Sequence, residues 1–95
     1  MAVYVVVQLS IHDRERYQRY VDRFLPIIAE HGGQVLAADD APEVLEGTWD
    51  ADRVVLLRFS DRATFEGWAQ SPEYREIAAD RIAATDGPIL LVNGF

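Results

Sequence analysis

The stretch that most constrains the fold is residues 53–60, RVVLLRFS. Side chains of a strand alternate between its two faces. Val55, Leu57 and Phe59 fall on one face and Val54 and Leu56 on the other, with Arg58 as the polar exception. A strand covered on one side only reads apolar–polar in alternation, so this one is expected to carry a cover on each side. A chain of 95 residues has enough helix for one face of a sheet. The second cover is then most simply another copy of the same sheet, giving a homodimer joined through the open sheet face.

The rest of the chain supplies that sheet and its helices. Residues 2–9 read as a first strand, with Val3, Val5, Val7 and Leu9 on an apolar face and Tyr4, Val6 and Gln8 on a mixed one. Asp13 is the best N-cap for a helix running to about His31. Its stripe is Tyr17, Tyr20, Val21, Phe24, Ile27 and Ile28, at three- and four-residue spacing. Pro26 falls inside the pattern and is expected to bend the helix. Gly32 suits its C-terminal end.

Residues 33–39 read as a second strand. Asp40-Ala41-Pro42 interrupts it, residues 43–47 are expected to resume extended structure, and residues 48–52 turn into the 53–60 strand. Ser60 or Asp61 caps a short helix carrying Phe65, Trp68 and Ala69. The sharpest local signal follows, Ser71-Pro72-Glu73-Tyr74. It combines an N-cap serine, a proline at the first helical position and an acid at the positive dipole end. The expected stripe of that helix is Tyr74, Ile77, Ala78 and Ile82, with Arg81 close to it. Asp86-Gly87-Pro88 ends it, and residues 89–92 form the last strand.

Strand, helix, strand, strand, helix, strand is two βαβ-like halves. Right-handed crossovers place both helices on one face of a four-stranded antiparallel sheet. The expected class is α+β, a single ferredoxin-like domain over residues 1–95, dimerising as an α+β barrel.

Composition narrows the partners. The formal net charge is −7, from 16 acidic and 9 basic residues. Nucleic-acid binders show a basic patch, so neither nucleic acid nor an anionic membrane surface is expected as a partner. There are no cysteines, which excludes disulfides and thiolate metal sites. No apolar run approaches the roughly 20 residues of a membrane helix, and the N-terminus reads as a strand rather than a signal peptide. A cytoplasmic location is expected.

Tyr17 and Tyr20, the Gly32-Gly33 pair and Val44-Leu45-Glu46-Gly47 followed by Trp49 form an ordered set. It continues through the 53–60 strand, Trp68, Ser71-Pro72-Glu73-Tyr74 and Arg81. In this the chain resembles, over essentially its whole length, the family called domain of unknown function 1330, within the dimeric α+β-barrel superfamily. The resemblance implies a small bacterial homodimer without an established activity. Related superfamily members include cofactor-independent monooxygenases, isomerases acting on muconolactone and dye-decolourising peroxidases. Kinship at the level of fold is analogy rather than a shared reaction.

The chain has no dinucleotide fingerprint, P-loop, H-E-x-x-H or G-x-S-x-G, so no cofactor and no metal is expected. His12 and His31 lack a second histidine at ligand spacing. The acids between Asp39 and Asp52 fit no calcium loop and are expected to be solvated. Glu46 stands apart as a candidate acid or base, its structural alternative being an ion pair with Arg53 or Arg81. Arg58 interrupts an apolar strand and Arg81 lies near an apolar helix stripe. Buried charges need partners, here either a protein carboxylate or an anionic ligand.

Two readings stay open. In one, Gln8, Arg58, Glu46 and Trp49 form a pocket between sheet and helices in a cofactor-independent enzyme. Arg58 would orient an anionic or carbonyl group and Glu46 would move a proton. Tyr4, Trp49, Trp68, Tyr74 and Arg81 would complete a site for a small organic ligand. In the other, the same residues form core, interface and salt bridges of a binding or purely structural dimer.

Overall fold

The structure, a computed structural model, describes all 95 residues. The elements are β1 (Val3–Ile11), α1 (Arg14–Glu30), β2 (Gln34–Asp39), β3 (Arg53–Phe59), α2 (Arg62–Ala69), α3 (Pro72–Ala84), β4 (Thr85–Asp86) and β5 (Ile89–Asn93). β1 is the hub of an antiparallel sheet. It pairs with β3 on one side and with β5 on the other, and β2 adds to the far side of β3. This is the expected ferredoxin-like α+β arrangement, with both crossovers feeding one helical layer.

The helices begin where their caps dictate. The Asp13 carboxylate accepts from the Arg16 N–H at 3.1 Å, and that of Asp61 accepts from the Thr64 N–H at 2.7 Å. Ser71 Oγ accepts from the Tyr74 N–H at 3.2 Å while donating to the Trp68 carbonyl at 2.8 Å, so one hydroxyl joins α2 to α3. α1 is continuous through Pro26 to Glu30, and the chain turns out of it at Gly32, whose φ of +78° is the left-handed conformation that glycine adopts freely. α1 and α3 lie side by side, tied by Arg16–Asp80 at 2.8 Å, Arg23–Glu76 at 3.6 Å and His31–Glu73 at 3.4 Å. The order of these pairs makes the two helices antiparallel.

The core sits between helices and sheet. Val3, Val5, Val7 and Leu9 of β1 and Leu57 and Phe59 of β3 meet Tyr17, Tyr20, Ile27 and Ile28 of α1, Trp68 of α2, and Tyr74 and Ile77 of α3. Aromatic rings form its middle. Trp68 packs on Tyr74 at 4.0 Å between centroids and on Phe59 at 5.2 Å, and Tyr20 bridges to Phe24 and Tyr74.

Three expectations are corrected. Residues 43–47 form no strand, and residues 40–52 are one irregular connection. It is held by Asp52, whose N–H donates to the Leu9 carbonyl at 2.7 Å while its carboxylate accepts from the Ile11 N–H at 2.8 Å. Ile82 is exposed, although its apolar side chain reads as part of the α3 stripe. At about 100° per residue the buried positions 74, 77, 78 and 84 centre close to 81, which puts Arg81 in the middle of the stripe and Ile82 off its edge. Finally, β4 is an additional short strand, pairing Thr85–Asp86 with Ile11 and Ser10. Gly87 makes this detour possible. Its φ is +135°, and a Cβ there would overlap the Gln8 carbonyl.

No helix is long and apolar enough to cross a membrane.

Candidate functional site

Strand alternation divides the candidate residues between two places. Odd-numbered positions of β1 and β3 face the helices. Even-numbered positions face away: Tyr4, Val6 and Gln8 on β1 lie opposite Arg58, Leu56 and Val54 on β3. A pocket between sheet and helices therefore cannot contain Gln8 or Arg58, and the expectation that Gln8, Arg58, Glu46 and Trp49 share one is corrected.

On the outer face, Trp49 Nε1–H donates to Gln8 Oε1 at 3.2 Å. With Glu46 and Val54 these residues line an open groove of about 410 Å³ beneath the 40–52 connection. Glu46 is exposed and makes no ion pair; the carboxylate that meets Arg53 is that of Asp40. Arg58 lies two rows away, beside Tyr4, and reaches only Gln34 Oε1, at 3.5 Å. Between these polar rows runs an apolar one. Ala37, Leu56, Val6 and Leu90 are in register across β2, β3, β1 and β5, and Leu56 and Leu90 are 37% and 49% exposed. The acids of the connection do not converge, and no cluster of three metal-ligating side chains exists.

On the inner face lies a cavity of about 400 Å³ between the sheet and the helices. Seventeen of its 19 lining residues are hydrophobic; the other two are Arg53 and Arg81. Trp68, Tyr74 and Arg81, three of the ligand-binding candidates, line it together. Tyr17, Tyr20 and Arg53 also line it and are not among the ligand-binding candidates read from the sequence. A signal for Arg53 was present: position 53 has the same parity as Val55, Leu57 and Phe59, so its side chain starts on the core face.

Polar groups gather within this apolar space. The hydroxyls of Tyr20 and Tyr74 share a buried hydrogen bond of 2.9 Å. Burial, followed by the neighbouring Tyr74, pushes the Tyr20 phenol well above its ordinary pKa. Arg53 Nε and Nη2 grip Asp40 at 2.6 and 3.1 Å, and its guanidinium lies 5.4 Å from the Tyr17 ring centroid. Hydrogen bonding to Asp40 raises the Arg53 pKa further, and Arg53 holds the Asp40 carboxyl below the usual range. Two buried donors lack any partner, Trp68 Nε1 and Arg81 Nε. No carboxylate or imidazole lines the cavity.

Known structures share this backbone. A protein of unknown function from Rhodopseudomonas palustris, RPA0582, is 21% identical, with a TM-score of 0.82 over 99% of this chain and 82% of its own. SnoaB, a cofactor-independent oxygenase from Streptomyces nogalater, is 13% identical, with a TM-score of 0.68 over 99% and 93%. A dimeric ferredoxin-like protein of unknown function from Jannaschia sp. CCS1 is 17% identical, with a TM-score of 0.67 over 97% and 96%. At these identities the likeness is one of fold. No protein of curated function matches the sequence. A family model matches residues 2–95, and the chain accordingly belongs to the family described as domain of unknown function (DUF1330).

Proposed function

We propose that the protein is a homodimer that binds a small, largely apolar organic molecule in the cavity between its helices and its sheet. The observation that carries this reading is the cavity itself. Its volume of about 400 Å³ and its 17 hydrophobic lining residues suit a ligand of one or two rings. In this reading Trp68 and Tyr74 wall the ligand and Arg81 meets its polar end. The dimer rests on the apolar row Ala37–Leu56–Val6–Leu90 on the outer sheet face and is supported by the dimeric neighbour of the same fold. Tyr4, Gln8, Trp49 and Arg58 then belong to the face that a second copy covers.

A second reading, a cofactor-independent enzyme of the monooxygenase or isomerase type, draws support from the fold shared with SnoaB. Glu46 and Arg58 would be its catalytic groups. Their position on the outer face, away from the inner cavity, favours binding over acid–base chemistry on a ligand held there.

Titration with the neutral fluorophore N-phenyl-1-naphthylamine, with native mass spectrometry alongside, tests the proposal. Saturable binding of one probe per protomer, lost when Ala69→Trp fills the cavity, is expected on a dimeric species. Absence of saturable binding, or binding indifferent to Ala69→Trp, overturns the cavity reading. A monomeric mass overturns the dimer.

A further inference from the structure

The charge around the cavity is one-sided. Acids outnumber bases 16 to 9 in the chain, yet both charged residues in the lining are arginines. They also enter from the same end. Arg53 pairs with Leu9 of β1, while Arg81 lies in the last turn of α3, whose following residue Thr85 pairs with Ile11. Thr85 Oγ1 fixes that turn by donating to the Arg81 carbonyl at 2.7 Å.

The two arginines differ in what answers their charge. Arg53 has Asp40 and the Tyr17 hydroxyl. Arg81 forms no ion pair with any carboxylate, and its Nε–H is buried without an acceptor. The other buried donor without a partner, Trp68 Nε1–H, belongs to the same lining. A third proton is available nearby. Tyr20 and Tyr74 have two O–H groups and one hydrogen bond between them, so one O–H remains to be donated. Arg81 lines the same cavity as both tyrosines. An apolar wall with spare donors and an unanswered cation lacks an acceptor, and a negatively charged one fits best.

Resting on the cavity reading above, we infer that the ligand is an organic oxyanion: a flat, largely aromatic body whose carboxylate, phenolate or enolate oxygen meets the unpaired guanidinium of Arg81. The aromatic body lies against Trp68 and Tyr74. The negative oxygen supplies the counterion that the chain itself does not provide.

The probes are 2-naphthoate and its neutral isostere 2-naphthamide, titrated calorimetrically into the wild-type protein at neutral pH. Naphthoate is expected to bind at least about tenfold more tightly, the scale of one charge-assisted hydrogen bond over a neutral one. Arg81→Gln is expected to abolish that preference, naphthoate losing at least about tenfold relative to naphthamide, and Arg81→Lys to retain most of it. Equal affinities on the wild type overturn the oxyanion and leave the cavity standing, since both probes have entered it. A preference that survives in folded Arg81→Gln overturns the role of Arg81. Binding of neither probe, nor of N-phenyl-1-naphthylamine, overturns the cavity reading and this inference with it. The wild-type comparison needs no substitution, so a variant that fails to fold does not remove the test.

Discussion

The hydroxyls of Tyr20 on α1 and Tyr74 on α3 meet at 2.9 Å inside an otherwise aromatic wall. Their rings pack edge to face, so one contact serves both packing and polarity. Removing one hydroxyl strands the other in apolar surroundings, whereas removing both leaves two phenylalanines of the same shape. Tyr20→Phe and Tyr74→Phe are each expected to cost about 1–2 kcal/mol, and the double variant no more than the worse single one. Urea unfolding of the four proteins measures the coupling, and strict additivity would refute it. The pair also sets an alkaline limit. The Tyr20 phenol titrates far above its unfolded value, so the unfolded chain loses this proton first as pH rises. Stability is therefore unaffected by this group below about pH 10 and falls above it, by up to about 1.4 kcal/mol per pH unit. Tyr20→Phe should flatten that limb.

Gly33 and Gly87 are both required to be glycine, for different reasons and with different expected costs. A Cβ on Gly33 would lie 2.5 Å from Phe59 Cε1 and from Ile28 Cγ1, side chains that are among the most buried in the chain. Gly33→Ala is overpacking and is expected to cost about 1–3 kcal/mol. Phe59→Leu in the same chain should recover part of that. Gly87 faces backbone, not side chain, and has a positive φ. Gly87→Ala is expected to cost more than Gly33→Ala, with no rescue by any single side-chain truncation. Thermal midpoints of the three variants would rank them, and a Gly87→Ala protein more stable than Gly33→Ala would contradict this ranking.

The proposed dimer predicts a clean separation of assembly from folding. Leu56 and Leu90 flank Val6 on either side in the outer apolar row. Burying a leucine stabilises by about 1.5–3 kcal/mol, and a two-fold interface counts each residue twice. Leu56→Lys should therefore weaken association by about 100-fold or more, while far-UV circular dichroism stays unchanged. Sedimentation velocity across a concentration series reads the first and dichroism the second. Unaltered association would sink the assignment of this face.

Local signals were legible where one residue type has one physical use. Ser71-Pro72-Glu73 marks a helix start in any context, and α3 starts there. Asp13 and Asp61 cap α1 and α2 for the same reason. The β1 and β3 faces follow from parity alone. The site was less legible because it depends on which face of each element is inward. Applying parity to position 53 and helical angle to position 81 brings Arg53 and Arg81 to the core side. Choosing Glu46 and Arg58 for their chemistry instead leads to the outer face. The 40–52 connection has no repeat to read. Its course is set by single contacts between residues far apart in sequence, such as Trp49 with Gln8 and Asp52 with Ile11. Apolar residues at 44 and 45 read as strand there, yet no neighbour strand pairs with them.

The Arg53–Asp40 pair makes stability depend on pH on the acid side. The Asp40 carboxyl is held below the usual carboxylate range chiefly by its hydrogen bonds to Arg53. A depressed carboxylate contributes stability above its unfolded pKa of about 4 and loses it as pH falls through the folded value. The contribution is small, because the Asp40 side chain is largely open to solvent and screening discounts the pair. Asp40→Asn is expected to cost less than about 1 kcal/mol at pH 7. The gap between variant and wild type should narrow as pH falls below 4 and through the lowered folded-state pKa, where protonation uncouples the wild-type pair. Guanidinium unfolding is unsuited to this test because the denaturant is itself a salt, so urea midpoints at pH 7, 5, 4 and 3 should be compared. A difference that widens toward pH 3 would mean that Asp40 is stabilised by something other than the Arg53 charge.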